Sequence, residues 1–119
     1  MRVLIENIPE ELRAPEVGLT SCLEAFGVAL PVQQVLLFGS YARGAQLPGS
    51  DVDLCLVTEG AENQVEAAHR FRRSIRDIRP KPPMTLIPIT PERLREKTSD
   101  GDFFFKTIID EGICVAAKD

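Results

Sequence analysis

The sequence predicts a small α/β (α+β) domain in which helices cover a mixed β-sheet. Three observations predict it. Three short runs, "VQQVLLF" at 32–38, "DVDLCLVT" at 51–58 and "MTLIPI" at 84–89, are rich in Val, Leu and Ile and have the length of buried strands. Between and after them lie stretches with apolar residues at helical spacing, one carrying Val65, Ala68, Phe71, Ile75 and Ile78, the other reading "GDFFFKTIIDEG" at 101–112. Strand and helix patterns alternate without an internal repeat or a clear linker, so residues 1–119 are expected to form one domain around one core.

Taken in order, "ELRAPEVGLTSCLEAFG" at 11–27 is a loose helical pattern through Leu12, Val17, Leu19, Cys22, Leu23 and Phe26, with Gly27 as its expected C-cap. Pro15 and Gly18 disturb its first half. The strand at 32–38 ends at Gly39 and Ser40, and "SYARG" makes one helical turn. "AQLPGS" is a loop, because Pro48 and Gly49 signal a turn. After the strand at 51–58, a helix is expected over 62–78, stopped by Pro80, Pro82 and Pro83. Pro88 has no amide to donate, which puts the strand at 84–89 at a sheet edge or on a bulge. Thr90 followed by Pro91 reads as an N-cap and first helical residue. The helix at 101–112 ends at Gly112, and "ICVAA" is a short closing strand.

Composition narrows the function classes. The formal net charge of -4 gives no global case for nucleic acid or a membrane surface. No apolar run approaches the roughly 20 residues of a membrane span, and the N-terminal segment lacks the pattern of a secretory signal, so a cytoplasmic location is expected. Cys22, Cys55 and Cys114 are odd in number and widely spaced, which argues against a disulfide framework or a zinc knuckle. His69, the single histidine, lies in a charged helical stretch and reads as an exposed polar residue.

The informative stretch is "LLFGSYARGAQLPGSDVDLCLV" at 36–57. Asp51 and Asp53 are two apart in a strand and therefore share a side of it. Like charges so close repel, and a divalent cation is the natural compensation. Gly39 and Ser40 follow a buried strand and open a helical turn, whose free amides and hydroxyl suit phosphate oxygens. Arg43 projects from the same turn. Hard carboxylate oxygens suit Mg2+, which bridges to substrate phosphates. Together these features describe a site for a nucleoside triphosphate. Taken singly, Gly39 and Ser40 read as a plain strand-to-helix turn, and Arg43 reads nearly as well as a surface ion pair.

The ordered set Gly39, Ser40, Ala42, Arg43, Gly44, Ser50, Asp51, Asp53 and Leu54 resembles the signature of the minimal nucleotidyltransferases, in the DNA polymerase β-like superfamily. That resemblance implies the nucleotidyltransferase fold and transfer of a nucleoside monophosphate, AMP in the first instance, from a triphosphate to a hydroxyl with loss of pyrophosphate. It implies that Gly39 and Ser40 hold the triphosphate, that Arg43 is a phosphate or structural position, and that Ser50 shapes the turn before the carboxylates. It further implies that Asp51 and Asp53 are catalytic and hold Mg2+ with ATP or another triphosphate as substrate. Short chains of this family often serve as the antitoxin of a toxin–antitoxin pair whose partner is a HEPN-domain ribonuclease, modified on a Tyr hydroxyl. The family usually supplies a third carboxylate from the later strand. Here Thr85 of "PMTLIPITPERL" occupies that place, and no acid lies between Asp77 and Glu92. A Thr hydroxyl is a weak metal ligand and a poor base, so a catalytically silent binding subunit is the competing reading.

Two features stand outside the motif. Arg70, Arg72, Arg73, Arg76, Arg79 and Lys81 form a basic cluster, read first as a solvated face, then as a dock for an acidic protein, and last as an RNA contact. Phe103, Phe104 and Phe105 are consecutive and cannot all face one core from one helix, which leaves apolar surface compatible with a homo-oligomer.

Overall fold

The computed structural model describes residues 1–119. Five strands, β1 (Arg2–Val3), β2 (Val32–Phe38), β3 (Val52–Thr58), β4 (Met84–Ile89) and β5 (Ile113–Ala117), form one sheet in the order β1-β5-β2-β3-β4. β3 and β4 are parallel and every other pair is antiparallel, so the sheet is mixed as expected. Six helices accompany it: α1 (Glu10–Arg13), α2 (Leu19–Ala29), α3 (Ser40–Arg43), α4 (Gln64–Ser74), α5 (Pro91–Ser99) and α6 (Phe103–Glu111).

The central strands read as continuous apolar runs because both their faces are covered. Val35, Leu37, Leu54 and Leu56 point into the larger core with Leu23 and Phe26 of α2 and Phe71 of α4. Phe26 and Phe71 meet edge to face at 5.4 Å. The alternate residues Leu36, Cys55 and Val57 point into a second core with Leu94 of α5 and Phe105 and Ile108 of α6. β4 lies at the sheet edge, where Pro88 needs no amide donor on its outer side. Thr90 caps α5 by accepting from Arg93 N at 3.1 Å, and Asp102 caps α6 by accepting from Phe105 N at 3.1 Å. No helix is long and apolar enough to cross a membrane.

The structure differs from the sequence reading at several element ends. The pattern at 11–27 is three pieces, α1, a 3-10 turn (Pro15–Val17) and α2. Ala14 precedes Pro15 and is extended, which breaks the first helix. Gly27 is not a cap: α2 runs through it to Ala29, and the Met1 side chain packs where a Cβ would stand. Leu30, extended before Pro31, ends the helix instead. α4 is shorter than 62–78. Asn63 caps it by accepting from Glu66 N at 3.0 Å, and its buried residues are Ala67 and Phe71, with Val65 exposed to solvent. β1, which pairs Arg2 with Ala117 and Val3 with Ala116, has no counterpart in the sequence reading. Among the three consecutive phenylalanines, Phe105 is buried while Phe103 and Phe104 are exposed.

Candidate nucleotide site

The sequence places the bend after β2 by ending an apolar run at a glycine. Gly39 adopts φ 75°, ψ -152°, a region essentially closed to other residues, and its carbonyl accepts from Ala42 N and Arg43 N at 3.1 and 3.2 Å to start α3. The first amides of α3 have no partner within the helix, as at any helix start. Glycine is required here for a second reason. A Cβ at position 39 would overlap Asp53 Oδ2 and stand 3.0 Å from Asp53 Cγ. The backbone bend and the Asp53 carboxylate are therefore in direct juxtaposition.

Strand register builds the rest. Asp53 pairs with Phe38 across the antiparallel ladder and with Thr85 across the parallel one. It thus lies between the bend and β4, on the face shared with Cys55 and Val57, and is partly buried. Asp51 immediately precedes β3 and is exposed. The Thr85 hydroxyl donates to Asp51 Oδ2 at 3.3 Å. Asp51, Asp53 and Thr85 converge at one end of β3 and β4, beside Gly39. Thr85 stands where a third carboxylate would complete the set, and no group of three His, Cys, Asp or Glu able to hold a metal ion occurs in the chain. Two carboxylates and a hydroxyl fit a Mg2+ ion that completes its shell with substrate phosphates and water. They do not make an all-protein metal cage.

The remaining expected residues lie around this end of the sheet. Ser50 Oγ accepts from Leu47 N at 2.8 Å and Ser50 N donates to Leu47 O at 3.0 Å, closing the loop before the carboxylates. Ser40 is the first residue of α3. Arg43 forms an ion pair with Glu111 of α6, Nη1 to Oε1 at 3.5 Å, with both side chains about half exposed. Glu111 was invisible to sequence reasoning, because the contact joins residues far apart in the chain and no local pattern marks it. Leu54 is fully buried and acts as a core residue. Cys55 is buried beside the site, and burial pushes its thiol up to about 12. Burial also raises Cys22, although Lys81 acts in the opposite sense. Burial therefore keeps both thiols protonated at neutral pH, which makes them poor nucleophiles.

A protein from Sulfolobus solfataricus proposed to be a nucleotidyltransferase superposes with a TM-score of 0.58 and 19% identity, over 87% of this chain and 82% of that one. A toxin–antitoxin structure with AMP-PNP superposes with a TM-score of 0.54 and 18% identity, over 84% of this chain and 73% of that one. At these identities the likeness concerns the fold, which is the mixed-sheet architecture expected from the sequence. No functionally curated protein matches the chain. The model of the nucleotidyltransferase domain family matches residues 19–113, a span that contains the bend, both aspartates and Thr85, and the chain belongs to that family.

Proposed function

We propose that this chain binds a Mg2+–nucleoside triphosphate, with Gly39 and Ser40 cradling the phosphates and Asp51 and Asp53 as the metal ligands. The observation that carries the reading is the packing of the Asp53 carboxylate against the Gly39 bend, with Asp51 held alongside through Thr85. Bound there, Mg2+ would offset phosphate charge between the two carboxylates. Ser50 holds the loop that presents Asp51. Arg43 is an ion-pair partner of Glu111 on the approach to the bend, and exchange of that carboxylate for a phosphate is its route into the site.

The reaction is transfer of AMP to a hydroxyl of a partner protein. The acceptor oxygen forms a bond to the α-phosphorus, the α–β phosphoanhydride bond breaks, and pyrophosphate leaves. The acceptor proton passes to a base other than Thr85, whose hydroxyl is a donor to Asp51. The likeness to a toxin–antitoxin structure with AMP-PNP supports an antitoxin role, and the resemblance of the motif to the minimal nucleotidyltransferases supports a HEPN-type ribonuclease as the partner and acceptor. One observation favours a second reading: with Thr85 in the third position, nucleotide binding survives better than transfer, and the chain acts as a silent subunit that neutralises its partner by docking.

The test is incubation with α-labelled ATP, Mg2+ and the product of the adjacent gene. Label on the partner, lost in Asp53→Asn, supports the transferase. A stable complex without label, unchanged in Asp53→Asn, supports the silent subunit. Failure of Mg2+–ATP to perturb the resonances of residues 39–41 and 51–53 overturns both.

A further inference from the structure

The basic cluster is exposed to solvent throughout, as expected, but its members do different things. Arg70 leaves it, donating from Nη2 to Ala29 O at 3.2 Å and tying α4 to the end of α2. The others converge on an open groove of about 570 Å3, lined by His69, Arg72, Arg73, Arg76, Arg79 and Lys81 without one apolar side chain or carboxylate. Lys81 folds back over the end of α4, donating to Ile75 O at 3.1 Å, Ile78 O at 3.3 Å and Arg76 O at 3.4 Å. Arg72 donates from Nη2 to Met84 O at 2.8 Å. The guanidinium groups of Arg73, Arg76 and Arg79 make neither a hydrogen bond nor an ion pair within the chain.

Helix termination accounts for part of this arrangement. Cations in the last turn of α4, Arg72 and Arg73, interact favourably with its C-terminal carbonyls. Arg76 and Arg79 lie beyond the helix end, where Lys81 already occupies the free carbonyls. Guanidinium groups gathered without a counterion in a chain of net charge -4 reflect arrangement rather than composition. We propose that the groove binds the phosphodiester backbone of a nucleic-acid strand. A protein partner would need an apolar core to its interface, and this groove has none. Nucleic-acid interfaces are more polar and more positive, and the planar fork of Arg matches two phosphate oxygens. The acidic composition argued against nucleic acid; the local geometry argues for it. The Arg72 contact with Met84 O sets one wall of the groove at the same end of β4 as Thr85, but on the face covered by α4, opposite the face that carries Asp53.

Four arginines on four phosphates of a single strand give a slope of log K against log salt of about -2.8, so affinity falls about 50-fold between 50 and 200 mM salt. The experiment is fluorescence anisotropy of the full chain with labelled oligo-U and oligo-dT, which separates RNA from DNA as the source of the backbone. In Arg73→Gln/Arg76→Gln the slope is expected to halve to about -1.4, a fall of about 7-fold over the same range. Arg95→Gln, outside the groove, removes one positive charge elsewhere and should leave the wild-type slope. The proposal is overturned if neither oligonucleotide binds at 50 mM salt, if the double variant keeps the full slope, if Arg95→Gln lowers it equally, or if a poly-Glu peptide binds more tightly than both strands. These outcomes do not bear on the nucleotide site, which is read by Mg2+–ATP.

Discussion

Replacing Gly39 by Ala tests the juxtaposition on which the nucleotide site depends. The substitution has two separable effects. Backbone at φ 75°, ψ -152° is strained for any residue with a Cβ, at about 1–3 kcal/mol. The new methyl also falls on the Asp53 carboxylate. Asp53 Cβ is fixed by its strand, so only the carboxylate can swing away, and it leaves the place proposed for a metal ligand. Displacing a group that orients metal ligands costs about 10–100-fold in metal affinity, and the same loss is expected for Mg2+–ATP. Gly44→Ala is the internal reference. Gly44 also has positive φ, 68°, but nothing lies within 4 Å of its Cβ position. It should lose about 1–2 kcal/mol of stability and keep its nucleotide affinity. Urea unfolding measures the first effect and titration calorimetry with Mg2+–ATP the second. Equal nucleotide affinities in Gly39→Ala and Gly44→Ala would refute the argument, whatever their stabilities.

Thr85→Asp would place a third carboxylate in register with Asp53 and in reach of Asp51. Without metal, repulsion should lower stability by about 1 kcal/mol, and millimolar Mg2+ should restore the melting temperature and raise transfer. A melting temperature indifferent to Mg2+ would count against a shared metal site. Cys55 gives a pH dependence. Its folded thiol titrates near 12 against a reference of 9.0, so the unfolded chain binds fewer protons across that interval. Stability due to this group is intact below pH 9 and declines above it, by at most about 1.4 kcal/mol per pH unit. Urea unfolding at pH 8 and pH 10.5 should show a smaller decline in Cys55→Ala than in the wild type. Identical declines would show that the thiol is not protected by burial.

The strands were legible because both faces of the central ones are buried. β2 (Val32–Phe38), β4 (Met84–Ile89) and β5 (Ile113–Ala117) coincide with the apolar runs read from the sequence, since cover by α2 and α4 on one side and α5 and α6 on the other favours apolar residues of both parities. The N-cap of α5 was legible for a local reason, as Thr90 and Pro91 carry their own geometry. Helix α2 runs past Gly27, whose missing side chain leaves room for the distant Met1, and ends at Leu30 before Pro31. β1 escaped notice because two residues paired at a sheet edge need no apolar run.

For the candidate site, sequence alone determined which groups are present: a glycine bend after a strand, two carboxylates of equal parity, a serine in the loop before them, and a hydroxyl where an acid was expected. Those are properties of neighbours along the chain, and periodicity and turn chemistry suffice to read them. Tertiary structure decided which of these groups meet. Pairing of β3 with β2 brought Asp53 against Gly39, and its parallel pairing with β4 brought Thr85 to Asp51. It also turned Arg43 toward Glu111 and divided the basic cluster into a helix tie, a helix cap and an unpaired groove. Such contacts depend on strand register and on which helix covers which face, and both are settled by burial of the whole core rather than by any local stretch of residues.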